Sequence, residues 1–173
     1  VNGTATDNAW DYSDNGNAGT VSGATWSANS GYDGRGAYTF EGDDYINFGA
    51  VSETDFERTD TFSISVWIKT EDITTQAIAS QRLLNSPHRG WLLQKENQLA
   101  TLQFISTAWT DGFELTGNTD VVDNEWHHIV FTYDGSSNKN GVTLYVDGVD
   151  DGSLTKTSGT DTISATTVSG SSL

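Results

Sequence analysis

The sequence has no cysteine, no methionine and one proline, and it contains no long apolar run. The absence of cysteine excludes disulfides, zinc–thiolate sites and cysteine nucleophiles. A membrane-spanning helix needs about 18 or more consecutive apolar residues, so the sequence predicts no transmembrane helix. Methionine is missing even at position 1, and we therefore expect the chain to be a processed or internal fragment of a larger protein.

Basic residues are also scarce: 8 Lys and Arg stand against 24 Asp and Glu, which gives a net charge of −16. Such a surface repels phosphate backbones and anionic headgroups, so we expect neither nucleic acid nor membrane partners. The charge fits a solvated surface adapted to salt or to the cell exterior, or carboxylates that bind Ca²⁺. Together with the lack of cysteine, it favours an extracellular, cell-surface or virion protein of bacterial or phage origin.

The abundant residues are those of strands and turns. Thr, Ser, Gly and Asn are frequent, and the chain carries 6 Trp, 6 Tyr and 7 Phe. Aromatic residues and Thr suit pleated sheets, Gly and Asn suit turns, and strong helix formers are not dominant. Strand-like segments recur about every ten residues with turn signals between them, which is typical of a β-sandwich. We predict one all-β domain over residues 1–173.

Two strands are the clearest local predictions. Apolar and other residues alternate over Phe62 to Lys69, which places Trp67 on the face opposite the core. A second alternation runs from His127 to Tyr133, and the Asp147-Gly148 pair after a third strand indicates a hairpin that returns over Val149 to Leu154.

Other segments give weaker predictions. Ala37–Phe40 and Tyr45–Phe48 read as a hairpin across an acidic turn, and Trp91–Gln94 pairs with Ala100–Ser106. Thr74 to Leu84 is the one helix-like stretch. Beyond residue 154 the sequence is rich in Ser and Thr with weak alternation.

Several segments carry motifs in a fixed order. These are the Asn- and Gly-rich turn Asp11–Thr20, the stretch Ala37–Phe48, the strand Phe62–Lys69, the Trp-His-His stretch Glu125–Gly135 and the hairpin Leu144–Gly148. Together they cover roughly residues 3 to 154 and resemble the laminin-G-like branch of the concanavalin A-like lectin/glucanase superfamily.

The resemblance implies a jelly-roll sandwich of two antiparallel sheets, one of them concave, that binds glycans or proteins. Members usually continue from this hairpin to an acidic final strand, which is absent before Leu173. The chain is then a fragment lacking that strand, or a neighbouring chain supplies it, or another segment replaces it.

Catalytic residues are not apparent. A glycoside hydrolase needs two carboxylates flanking the scissile bond. The acidic pairs Asp43-Asp44, Glu71-Asp72 and Asp150-Asp151 lie in turns where their side chains diverge, and Glu114 and Glu125 are isolated. We therefore expect the protein not to be an enzyme.

The histidines favour a structural interpretation. His127 and His128 are adjacent on a strand and point to opposite faces, so they cannot share one metal ion. We predict His127 to be a hydrogen-bonded core residue.

Calcium is the predicted cofactor. Asp11, Asp14, Asn15 and Asn17 lie close together in a Gly-containing loop and offer carboxylate and amide oxygens, which a hard cation prefers. A second acidic turn holds Asp43 and Asp44. The alternative is that Asn and Asp serve only the geometry of the turns.

Five residues are candidate ligand contacts: Trp67, Trp91, Trp109, Asp111 and Asn118. Tryptophan rings stack on the apolar faces of sugars, and the two polar residues lie near the loop-rich segments. The alternative is that the tryptophans fill gaps between sheet and loops.

The first functional hypothesis is therefore a non-catalytic carbohydrate-binding module, with a glycan as partner. The second is a structural or protein-interaction domain, such as a virion decoration or an adhesin scaffold. A weaker third is part of a glycoside hydrolase whose site lies in the missing C-terminal part.

Overall fold

The computed structural model describes residues 8–83, 85–107 and 110–168. It is 51% strand and 4% helix, which confirms the all-β prediction. The chain divides into two compact units, one up to Ser52 and one beginning at Glu53. A single-turn 3-10 helix lies at Ser52–Thr54. No described helix is long and apolar enough to cross a membrane.

The first unit contains five short strands. They are β1 (Asn8–Ala9), β2 (Gly19–Ser22), β3 (Thr25–Ser27), β4 (Ala37–Thr39) and β5 (Tyr45–Asn47). An antiparallel sheet has the order β1-β2-β5, and β3 and β4 form a separate two-stranded sheet.

The predicted hairpin of Ala37–Phe40 with Tyr45–Phe48 is wrong. A turn does form between them, closed by the Asp44 N–H donating to the Glu41 carbonyl at 3.1 Å. The two strands nevertheless pair with different partners. Tyr38 of β4 packs on Trp26 of β3, with ring centroids 4.9 Å apart, while β5 pairs with β2. Aromatic packing across β3 and β4 is a cross-strand contact that a turn signal alone does not reveal.

The second unit is a sandwich of nine strands. Their bounds are β6 (Thr61–Lys69), β7 (Gln76–Arg82), β8 (Gly90–Glu96), β9 (Leu99–Thr107), β10 (Asp111–Asp120), β11 (Trp126–Asp134), β12 (Val142–Val146), β13 (Val149–Asp150) and β14 (Thr155–Gly159). One sheet has the order β14-β10-β9-β8-β7 and the other β13-β12-β11-β6, with every pair antiparallel. A second 3-10 turn spans Lys139–Gly141.

The core lies between these two sheets. Phe104 of β9 contacts Phe62 of β6 at 5.4 Å and Tyr133 of β11 at 5.5 Å between ring centroids, so aromatic rings join the layers directly. Leu102 and Leu144 are fully buried beside them. Full burial of one such side chain stabilises the fold by about 1.5–3 kcal/mol. The two antiparallel layers confirm the predicted jelly-roll sandwich.

The strongest strand predictions are confirmed. In β6 the residues alternate between the core and solvent, and Trp67 lies on the outer face. In β11 His127, Ile129 and Phe131 point inward in the same alternation. The return strand after Asp147-Gly148 is shorter than predicted, since only Val149–Asp150 pairs with β12.

The helix-like interpretation of Thr74 to Leu84 is wrong, although residue 84 itself lies outside the described part. Gln76–Arg82 is the strand β7, which pairs with β8 along its length. Ile78 and Ala79 pack against the core. The ladder and this burial outweigh the weak helical propensity of a short segment. Thr155–Gly159 is a further strand that was not predicted. It is an edge strand whose largely polar residues give no alternation.

Candidate functional site

The outer face of the four-stranded sheet carries aromatic and hydroxyl groups at adjacent positions. Because side chains alternate across a strand, every second residue of β6, β11 and β12 points away from the core. Register places Trp67 opposite His128, Ser65 opposite Val130 and Tyr145 opposite Val130. We call Ser65, Trp67, His128 and Tyr145 the Trp67 platform.

The centre of the platform is a stacked pair of rings. The Trp67 indole lies over the His128 imidazole, with centroids 4.8 Å apart and planes 16° from parallel. Ser65 Oγ is 2.8 Å from His128 Nε2, which fixes the orientation of that ring. Trp67 is 39% exposed. An accessible aromatic face bordered by hydrogen-bonding groups can bind a ligand that is apolar on one side and polar at its edge.

His127 lies on the other face of β11, 8% exposed and held by two carboxylates. Its Nδ1 is 2.8 Å from Asp147 Oδ2, and its Nε2 is 3.0 Å from Asp123 Oδ1. The second oxygen of Asp147 accepts the backbone N–H of His128 at 2.8 Å. These contacts confirm that His127 is a hydrogen-bonded core histidine.

The charged forms of His127, Asp123 and Asp147 stabilise one another. Burial lowers the pKa of His127, but the hydrogen bonds to Asp147 and Asp123 outweigh it, so that the pKa is raised overall. Burial raises the pKa of Asp147, and the hydrogen bonds from the His128 amide and the His127 ring outweigh it, so its pKa is lowered. The His127 hydrogen bond also lowers the pKa of Asp123. The cluster is therefore most stable as an imidazolium between two carboxylates.

A row of polar side chains crosses the five-stranded sheet. Arg82 donates to Gln103 Oε1 at 2.5 Å, Gln103 donates to Glu114 Oε2 at 2.6 Å, and Thr157 donates to the other oxygen of Glu114. Gln103 and Glu114 are buried. The row contains one carboxylate, whereas glycoside hydrolysis needs two. Sequence reasoning missed this row because Arg82 lay in the predicted helix and Glu114 had no acidic neighbour in the sequence.

The other predicted ligand contacts do not join the platform. Trp91 is not on an accessible face: it is 7% exposed, it belongs to the core, and its indole N–H donates to the Thr54 carbonyl at 2.7 Å. Its aromatic bulk fills the interior, which is the packing role described above as the alternative. Trp109 lies outside the described residues.

Asp111 and Asn118 lie on β10, in the five-stranded sheet. Asp111 accepts hydrogen bonds from Ser106 Oγ at 2.6 Å and from the Ser164 amide at 2.8 Å, and so connects β9 to the segment after β14. Asn118 Nδ2 donates to the Asp151 carbonyl at 2.7 Å. Both side chains make structural hydrogen bonds within the sandwich.

Of the predicted calcium ligands in the first loop, Asp11 has a side chain that holds a turn. The Asp11 carboxylate accepts the backbone N–H groups of Ser13 at 2.7 Å and of Asn17 at 2.6 Å, and hydrogen bonds with Ser13 and Asn17 lower its pKa. Asp14 and Asn15 are exposed.

In the second acidic turn the Asp44 carboxylate accepts the Glu41 N–H at 2.9 Å, and Asp43 is exposed. Within residues 8–83, 85–107 and 110–168, no group of three or more His, Asp or Glu side chains is arranged to hold a metal ion. Calcium binding stays a prediction.

Comparison with known proteins identifies the family. The sequence model of the concanavalin A-like lectin/glucanases superfamily matches residues 40–172, which is well over half of the chain. The match extends beyond Leu154, where the motifs described above end. No curated protein and no solved structure is significantly similar to the chain. The chain therefore belongs to the concanavalin A-like lectin/glucanases superfamily.

Proposed function

We propose that the protein is a non-catalytic carbohydrate-binding module and that the Trp67 platform is its sugar-binding face. The observation that carries this proposal is the exposed indole of Trp67 stacked on His128. The C–H face of a pyranose can lie on such a ring, while the hydroxyl groups at its edge need polar partners. Membership of the superfamily is consistent with this class of ligand.

The surroundings of the rings supply the polar partners. Ser65 and Tyr145 carry hydroxyl groups on the same face as Trp67, and His128 Nε2 lies beside the Ser65 hydroxyl. The platform lies on the outer face of its sheet, with Trp67 39% exposed, so we expect few sugar hydroxyl groups to be enclosed. We expect weak binding of a single sugar unit. For an oligosaccharide we expect a Kd of about 1 mM to 1 μM.

The net charge of −16 narrows the ligand class. Uronate and sulfate groups would be repelled by the same surface that repels phosphate. We propose uncharged oligosaccharides or amino sugars as the preferred ligands. An extracellular, cell-surface or virion location would give the protein access to them.

The test is a glycan array of neutral, amino and acidic sugars, with Ca²⁺ present, followed by calorimetric titration of the best neutral ligand. We expect Trp67→Ala to weaken binding by about tenfold or more, since tenfold corresponds to about 1.4 kcal/mol. Trp67→Phe should restore part of the affinity because it keeps a flat ring.

Trp10→Ala is the matched control, because Trp10 is an exposed tryptophan, 57% accessible, in the first unit. It should bind as the wild type does. An array without any bound sugar, or equal affinity of Trp67→Ala and the wild type, would overturn the proposal.

A protein-interaction role is the second candidate, and one feature of the first unit favours it. Six aromatic side chains there are 47–69% exposed: Trp10, Tyr12, Tyr32, Phe40, Tyr45 and Phe48. Aromatic residues are enriched at protein interfaces. Sedimentation analysis would support this role if the protein forms a stable oligomer that Tyr45→Ser dissociates, and would contradict self-association if it stays monomeric.

A further inference from the structure

We infer that His127 makes the Trp67 platform sensitive to pH: as an imidazolium it holds one end of the platform in place, and as a neutral ring it releases that end. This inference rests on the sugar-binding role proposed for the platform. It names a positioning residue that touches no ligand, because His127 points to the core side of β11 while the platform lies on the outer side.

The hydrogen bonds of His127 require two ring protons. Both ring nitrogens face carboxylate oxygens, those of Asp147 at 2.8 Å and Asp123 at 3.0 Å. An ionised carboxylate only accepts hydrogen bonds, and a neutral imidazole has one donor. Only the imidazolium satisfies both neighbours at once.

Asp147 connects this charge directly to the platform. It occupies the turn between β12 and β13 with φ +53°, and its own N–H donates to the His128 carbonyl at 2.9 Å. One carboxylate oxygen contacts the His127 ring, and the other accepts the N–H of His128. The Asp147 carboxylate thus contacts the His127 ring and the His128 backbone at the same time.

Asp123 connects the same charge to β6, the strand that carries Trp67. Its carboxylate also accepts the Glu125 N–H at 2.9 Å, which shapes the loop before β11. The neighbouring Asn124 N–H donates to the Thr70 carbonyl at 2.9 Å, immediately after the end of β6. The two carboxylates therefore lie in the loop and the turn that flank the same end of the stacked Trp67–His128 pair.

Loss of one proton breaks this arrangement. One nitrogen then presents a lone pair to a carboxylate oxygen, and the two repel each other, so that one of the two His127–carboxylate hydrogen bonds is lost. Whichever carboxylate separates, the loop or turn that carries it loses its contact with the His127 ring, beside the end of the β6–β11 pair. The charges that act on His127 are those of Asp147 and Asp123, and the residue opposite it on β6 is the apolar Ile68.

The direction of the effect follows from the protonation state. Sugar affinity should be highest while His127 is charged and should fall as the pH rises through its raised pKa. We expect a loss of about fivefold or more, the lower end of typical coupling between two sites.

The first measurement is NMR of the whole chain between pH 5 and 9, and it needs no ligand. We expect both ring nitrogens of His127 to carry protons at pH 6, and the indole resonance of Trp67 to shift with the midpoint of His127. A single ring proton at pH 6, or an indole resonance that does not follow the midpoint of His127, would overturn the inference even if no sugar binds.

The second measurement is sugar affinity over the same pH range for the wild type, His127→Gln and the control His88→Gln. His88→Gln should keep the pH-dependent loss of sugar affinity, since His88 contacts neither Asp123 nor Asp147. His127→Gln should remove that loss. A loss that persists in His127→Gln would assign the effect to another group. Failure of all variants to bind sugar would refute the proposed function, and the NMR titration would still decide the role of His127.

Discussion

Removal of a single hydroxyl group, in Tyr133→Phe, is expected to destabilise the sandwich measurably. Tyr133 is 3% exposed at the end of β11. Its hydroxyl donates to the Arg58 carbonyl at 2.7 Å and accepts the Ser137 N–H at 2.6 Å, and so joins two loops to the core. The ring of the variant would keep its contacts with Phe62 and Phe104, so no cavity forms.

The expected loss of stability comes only from the Arg58 carbonyl and the Ser137 N–H, which lose their hydrogen bonds to the Tyr133 hydroxyl. Leaving a buried donor or acceptor unsatisfied costs about 1–3 kcal/mol. The Arg58 carbonyl keeps a longer contact of 3.4 Å from Ser137 Oγ, and both loops are half-buried, so water can partly replace the hydroxyl. We therefore expect a decrease in unfolding free energy of about 1–2 kcal/mol, the lower part of that range.

Urea denaturation measures this change as a lower midpoint with an unchanged m-value. Tyr145→Phe is the matched control, since Tyr145 points outward from β12 and its variant should remain within about 0.5 kcal/mol of the wild type. If Tyr133→Phe were as stable as this control, the two hydrogen bonds of the Tyr133 hydroxyl would contribute nothing to the free energy of unfolding. A changed m-value would show that the variant changes the compactness of the folded or the unfolded state, and that its effect is not the loss of a local contact.

Two further predictions concern the polar row and calcium. Glu114→Ala should lower the unfolding free energy by about 1–3 kcal/mol, because it removes the buried acceptor of Gln103 and Thr157. Urea denaturation checks this, and a loss below about 0.5 kcal/mol would contradict a structural role for the row. If the Asp11 loop binds Ca²⁺, saturation at about 100 times Kd should stabilise the protein by about 2.7 kcal/mol. A melting transition that is the same with Ca²⁺ and with chelator would refute the calcium prediction.

Local alternation explains why β6 and β11 were predictable. Each has one face in the core and one outside, so the side-chain period of two is visible in the sequence. That period also placed Trp67 outward and His127 inward. Trp91 could not be assigned in this way: β8 is buried on both faces, and a strand of that kind shows no alternation.

The predicted pairing of Trp91–Gln94 with Ala100–Ser106 is confirmed, but other pairing partners were beyond local patterns. The pairing of β4 with β3, in place of β5, depends on aromatic contacts between separate segments. Gln76–Arg82 forms the strand β7 because it pairs with β8. The same limit applies to function. Asp123, His127 and Asp147 are up to 24 positions apart in the sequence, and each looks like an ordinary turn or strand residue.

The sequence by itself determined the all-β class, the acidic surface and the faces of the two amphipathic strands, because these depend on composition and on a period of two. The superfamily was indicated by the resemblance of ordered motifs, not by composition or period. The tertiary structure decided how the remaining strands pair, that Trp91 is buried and which carboxylates meet His127. Those features depend on contacts between distant segments, and such contacts exist only after the two sheets have packed.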